Sequence, residues 1–172
     1  MTSFQFVLLY LISDPTVVEC TATVDKLDLH TPNKYEYTYL EDKGMCVAKQ
    51  GAFQFWVKAS NDVHITLADA KGNDDTIEVV IGGWSDSKSV LRFAHQGSDQ
   101  DSESGSWLSD SAYRPFWISW NNNGLISVGT GTNIGLNTFL SKTSSQAINY
   151  VGVATAFGSD GDWAFGYGEY IH

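Results

Sequence analysis

Four short stretches of this chain carry residue types that could do chemistry. Asp160-Gly-Asp-Trp163 sets two carboxylates on either side of a glycine and follows them with an indole. Two carboxylates so spaced can turn toward one cation, and Ca²⁺, a hard ion that collects oxygen ligands, suits them. Asp99-Gln-Asp-Ser-Glu103 places acids at alternate positions, with Gly105 and Asp110 downstream, and imitates a calcium loop without flanking helices. The metal set expected is therefore Asp160, Asp162, Asp99 and Asp101, against the plainer reading of solvated acidic turns. A sugar presents a polar edge and a face of C–H groups, so its sites pair a carboxylate with an aromatic plate. Asp162-Trp163 and Trp84-Ser-Asp86 both do this. The competing reading for Trp84 and Trp163 is packing in the core or at a strand end.

Other chemistries find less to stand on. His30, His64, His95 and His172 are scattered, and none lies in a nucleophile-elbow or zinc motif. His64 alternates with Val63 and Ile65, which reads as a solvent-facing strand position. No motif nominates a pair of acids for glycoside hydrolysis. Gly129-Thr-Gly131 follows a strand but leads to another strand, so it reads as a β-turn and not as a cofactor loop. The net charge of −10, from 20 acidic and 10 basic residues, disfavours nucleic acid and anionic lipid as partners. Cys20 and Cys46 are the only cysteines. Together they allow one bridge in an oxidising compartment; if Cys20 is removed, Cys46 is left odd.

The elements that must position these groups are strands. Apolar residues make up 42% of the 172 residues and aromatics 13%, enough for one β-rich core. No helical period lasts three turns. Alternating runs recur instead: Val24–Leu29, Tyr35–Leu40, Phe53–Ser60, Val63–Leu67, Thr76–Ile81, Ser89–Ala94, Phe116–Trp120, Leu125–Val128, Thr138–Ser141, Ile148–Phe157 and Trp163–Ile171. Asn121-Asn-Asn-Gly124 and Gly158-Ser-Asp-Gly161 are turn signals, and the polar stretch His95 to Asp110 reads as a surface or ligand loop. Trp56 and Trp117 fall opposite Phe55 and Phe116, so either both sheet faces are covered or a tryptophan is exposed for a partner. The expected fold is a single-domain, all-β antiparallel sandwich, jelly-roll-like, of about ten strands. The apolar run Phe4–Ile12 is too short to span a bilayer, so no membrane insertion is expected. Residues 1–22 are either a signal peptide, cleaved after Cys20 or Ala22, or a buried first strand; residues 23–172 are the domain.

The central segment resembles the farnesoic acid O-methyltransferase-like domains. The resemblance is carried by Phe55-Trp-Val-Lys-Ala-Ser-Asn-Asp-Val-His-Ile65, by Glu78-Val-Val-Ile-Gly-Gly-Trp84 and by Ser87-Lys-Ser-Val-Leu-Arg92. Phe116-Trp-Ile-Ser-Trp120, Val128-Gly129 and Gly161-Asp-Trp163 extend it, and Asp86 stands where the pattern has Asn. The family name implies a methyltransferase acting on a terpenoid acid, yet no strand–glycine loop–helix unit for S-adenosylmethionine is present in the sequence. The similarity of the family to domains of secreted and surface proteins implies recognition instead. The reading is a secreted, non-enzymatic, lectin-like module, calcium-assisted and oligomeric for avidity, with glycans as partners. Its ligand set is Trp84, Asp86, Arg92, Asp160, Asp162 and Trp163. The alternatives are the terpenoid methyltransferase and a non-catalytic protein-interaction domain.

Overall fold

A computed structural model describes residues 20–166. The first strand candidate within 1–19 and the end of the last predicted strand, 167–171, lie outside the described residues. Twelve strands are present among the described residues, all but β2 in two antiparallel sheets. One sheet has the order β1-β12-β3-β8-β9-β10, built from Leu27–Thr31, Gly161–Phe165, Ala52–Ala59, Ser109–Trp120, Leu125–Thr130 and Thr138–Thr143. The other has the order β11-β4-β5-β6-β7, built from Tyr150–Thr155, Val63–Ala68, Ile77–Gly82, Lys88–Arg92 and Asp99–Ser104. The remaining strand, β2 (Lys34–Tyr39), lies alongside β11. The sandwich expected from the alternating runs is the fold observed.

Alternation explains the core. Val63, Ile65 and Leu67 of β4 and Ile77, Val79 and Ile81 of β5 point between the sheets, where they meet Phe55, Phe116, Trp163 and Phe165. These rings pack on one another, with Phe55 5.8 Å from Phe116 and 5.7 Å from Trp163. Trp56 and Trp117 are also buried, so both faces of the six-stranded sheet are covered at these positions. Gly129 makes that cover fit: a Cβ there would lie 2.2 Å from the Trp117 ring, and the Trp117 Nε1–H reaches the Leu136 carbonyl at 2.9 Å. The Gly129-Thr-Gly131 run thus serves indole packing at the end of β9.

Two expectations are corrected. The polar stretch after His95 contains β7, whose Asp-Gln-Asp-Ser-Glu-Ser sequence shows no apolar alternation because it is an exposed edge strand. His64 is not solvent-facing: its side chain is 2% exposed. The outer face of the five-stranded sheet is covered by the tyrosines of β2, and Gly152 of β11 leaves room for Tyr37 and Tyr39, whose atoms would lie 3.2 Å from a Cβ there. A disulfide joins Cys20 to Cys46.

Candidate functional site

Three outward positions of β4 and β5, His64, Thr66 and Glu78, are polar and buried. Glu78 has no exposed surface, yet its carboxylate accepts from Tyr35 Oη at 2.5 Å, Tyr37 Oη at 2.9 Å and the Gln96 backbone N–H at 2.9 Å. His64 Nδ1 adds a contact at 3.1 Å and Arg92 Nη1 one at 3.4 Å. Burial alone would raise this carboxyl; the bonds from His64 and Tyr35, with the His64 charge, hold it down at about 2. Burial followed by the Glu78 bond and charge pushes Tyr35 up, while burial and then the Glu78 charge do so for Tyr37; both phenols stay donors. An ionised carboxylate only accepts, so His64 Nδ1 carries the proton facing it. His64 Nε2 is left buried and without a hydrogen-bond partner.

His64 forms the floor of a cleft of about 420 Å³, lined also by Asn61, Asp62, Trp84, Arg92 and Phe157. Trp84 is 51% exposed and Phe157 is 59% exposed. Asp62 Oδ1 stands 3.9 Å from His64 Nε2, and burial raises the Asp62 carboxyl above the usual range. Arg92 is held by Glu78 and, through Nε, by Asp99 at 3.0 Å; Asp99 also takes Lys88 at 2.6 Å. Lys88 Nζ and Arg92 Cζ lie 5.0 and 5.4 Å from the Trp84 ring, a cation–π arrangement that fixes the indole. Other hollows, of about 400 and 540 Å³, contain no buried polar atom left unbonded among the described residues.

Backbone strain collects at the same place. Seven non-glycine residues among those described have positive φ, and five of them, Asp62, Trp84, Ser85, Gln96 and Phe157, line the cleft. A sixth, Asp86, follows directly. Left-handed backbone costs about 1–2 kcal/mol per non-glycine residue, so the Trp84-Ser-Asp86 turn needs support. Asp86 supplies it: its carboxylate accepts from Ser106 Oγ at 2.5 Å and from the backbone N–H of Trp107 and Leu108 at 2.9 and 3.2 Å. Bonds to a charged group contribute about 1.5–3 kcal/mol each, enough to offset the strain. Gly82 is required beside it, since a Cβ at its φ of +63° would meet Asp86 at 2.5 Å and Leu108 at 2.6 Å. Asp86 therefore anchors the turn that presents Trp84, and its oxygens face the β7–β8 connection.

Of the sequence-derived set, the structure brings Trp84 and Arg92 together in the cleft. Trp163 is a correction: it is fully buried in the core, its Nε1–H bonded to Thr31 Oγ1 at 2.8 Å, and offers no face to a ligand. Asp160 and Asp162 border a separate surface hollow in the six-stranded sheet. Lys58 and His30 each lie 2.9 Å from Asp162, and His30 Nε2 lies 3.8 Å from Asp160. The Lys58 bond, then that of His30, hold the Asp162 carboxyl below its usual range. Asp101 accepts from the Ser102 and Ser141 backbone at 2.9 and 2.7 Å, tying β7 to β10. No group of three or more His, Cys, Asp or Glu side chains arranged to hold a metal occurs among the described residues. Sequence reasoning missed Asp62, His64, Gln96 and Phe157: His64 stands on β4, while the other three come from separate connections, and Gln96 and Phe157 reach the cleft only in the fold.

Among solved structures, a β-1,3-1,4-glucanase from a mouse hindgut metagenome is 11% identical, covering 81% of this chain and 78% of that one at a TM-score of 0.45. The Ruminococcus gnavus sialidase carbohydrate-binding module bound to α2,3-sialyllactose is 11% identical, covering 85% and 94% at 0.42. The Bacillus licheniformis β-glucanase is 11% identical, covering 84% and 78% at 0.44. Likenesses at this level carry no functional argument. No curated protein matches the chain. The model of the farnesoic acid O-methyl transferase family matches residues 33–167, a span that takes in the whole cleft, and the chain belongs to that family.

Proposed function

We propose that the cleft over β4, β5 and β6 binds carbohydrate and that the domain is a recognition module. The observation that carries this reading is the junction of two exposed aromatic rings, Trp84 and Phe157, with a floor holding an unbonded His64 Nε2. Rings suit the C–H face of a sugar, and Asp62, Asn61 and Gln96 suit its hydroxyls. Strain held in place around one pocket is a further support, because such strain clusters at ligand sites. A binding role is favoured over methyl transfer because the residues around Gly129 end one strand and lead to another, not to the helix of a strand–glycine loop–helix unit.

Calcium is not needed for this reading. The carboxylates expected to hold it have lysine, arginine, histidine or backbone N–H partners instead. Secretion is part of the proposal, supported by the Cys20–Cys46 disulfide. So is self-association, since a shallow site gains avidity from a second copy. A glycan array, run with and without EDTA on wild type and Trp84→Ala, tests the reading. Binding that survives EDTA and is lost in Trp84→Ala supports it. A blank array, together with heat of binding for S-adenosylmethionine in calorimetry, favours the transferase reading.

A further inference from the structure

The bonds of Asp86 fix the backbone of the Trp84 turn and leave its ring to be held by something else. Among the described residues the indole neither stacks on another ring nor donates a hydrogen bond. Two cations stand against it, Lys88 Nζ at 5.0 Å and Arg92 Cζ at 5.4 Å from its centroid. These cations do not meet of their own accord. Four residues apart on the outer face of β6, they start about 13 Å from each other along the strand, and like charge opposes their approach. Asp99 brings them together. It stands directly opposite Arg92 in the β6–β7 register, accepts from Arg92 Nε at 3.0 Å, and accepts from Lys88 Nζ at 2.6 Å. Lys88 faces Ser104 at the far end of that pairing, so it reaches Asp99 only by stretching along the sheet.

We propose that Asp99 is the positioning residue of the cleft: it gathers Lys88 and Arg92 against Trp84 and so holds the indole where a ligand meets it. For the ligand this rests on the carbohydrate reading above; the placement of the ring does not. Asp99 itself does not line the cleft and acts only through the two cations. Burial alone would raise its carboxyl, but the bonds from Lys88 and Arg92 hold it below the usual carboxylate range, so the bridging charge is present at neutral pH. Glu78 cannot take its place for Lys88, because its oxygens already accept from Tyr35, Tyr37, the Gln96 backbone and Arg92. Without the Asp99 charge Arg92 keeps Glu78, while Lys88, partly exposed, returns to solvent and the ring loses its hold. A ring that must be ordered by the ligand costs affinity. The alternating acids of β7 thus have a use at Asp99 that needs no metal.

The test uses the full chain labelled with fluorotryptophan, read by fluorine NMR and on the glycan array. The Trp84 resonance is the one missing from Trp84→Phe. Asp99→Asn, on an exposed edge strand, is expected to shift that resonance and leave those of the core residues Trp117 and Trp163 in place. Array signal is expected to fall about fivefold, the cost of ordering one large side chain. Lys88→Met is expected to do the same, and the double variant no more than either alone, as for residues that act through one contact. An unmoved Trp84 resonance in Asp99→Asn overturns the proposal. Additive losses overturn it too, because the two residues then act separately. Wild-type binding that EDTA abolishes and Asp99→Asn loses overturns it by making Asp99 a metal ligand. A shifted Trp84 resonance with a blank array upholds the placement of the ring by Asp99 and overturns the carbohydrate reading alone.

Discussion

His64 Nδ1 on β4 lies 3.1 Å from Glu78 Oε1 on the neighbouring β5, joining the floor of the cleft to a carboxylate that gathers five donors. The two residues stand on the outer face of the same strands whose inner faces build the core, so the cleft and the core share one scaffold. Rigid strands hold the polar floor, while the rings at the mouth come from connections.

Removing the Glu78 charge should destabilise the fold and flatten its acid limb. The folded carboxyl sits at about 2 against an ordinary 4.5. A depressed folded value contributes stability that is present above the unfolded value and lost as pH falls toward 2. A shift of this size corresponds to roughly 3 kcal/mol. Urea titrations of wild type and Glu78→Gln between neutral and strongly acid pH should converge at the acid end. A constant difference across that window would refute the linkage.

Asp62 should behave in the opposite sense. Burial raises its carboxyl, so its contribution favours the fold at low pH and is lost as pH rises through the folded value. Asp62→Asn is therefore expected to leave stability unchanged or to raise it by up to about 1 kcal/mol, while ligand binding falls. Chemical denaturation at neutral pH checks this directly. A marked loss of stability would make Asp62 a structural residue.

The alternating runs of β3, β4 and β5 made the sandwich and its inner face legible, because burial on one side of a strand prints a period of two. Trp84 and Arg92 were legible through the motif that carries them. The outer face was not. Tyr35, Tyr37 and Tyr39 also alternate, and that stripe signals a strand lying on another surface, but nothing local says which surface. Once β2 covers β4, His64 reads as floor instead of surface. Phe157 sat at the end of a predicted strand and turns out to lie beyond it, at positive φ. Asp160-Gly-Asp162 does place two carboxylates beside one side chain, His30, and the partners found there, Lys58 and His30, are remote in sequence.

The Asp86 anchor should prove separable from the ligand. Asp86→Ala removes the bonds to Ser106, Trp107 and Leu108 that offset three left-handed residues. A loss of about 2–4 kcal/mol is expected, with Trp84 fluorescence shifting as the turn relaxes. Asp86→Asn, which keeps an acceptor oxygen, should recover most of the stability. Equal loss in both variants would mean that the charge itself, and not the bonding, holds the turn.

The disulfide offers a last measurement, independent of any ligand. Cys20 and Cys46 are 26 residues apart, and Cys46 lies on the connection between two short 3-10 turns, Leu40–Lys43 and Ala48–Gln50. Closing a loop of that length removes denatured-state freedom equivalent to about 3–4 kcal/mol in the chain-entropy model. The segment it ties down includes Thr23, whose backbone N–H already reaches the Gly44 carbonyl at 2.9 Å, so native contacts persist without the bond. Replacing both cysteines by serine should therefore lower stability by roughly that amount without abolishing the sandwich. The cleft lies on β4, β5 and β6, away from the bridge, and Trp84 fluorescence in the folded variant should match wild type. A changed Trp84 signal would show that the bridged segment supports the cleft; unchanged stability would show that the bond constrains nothing the sandwich does not already hold.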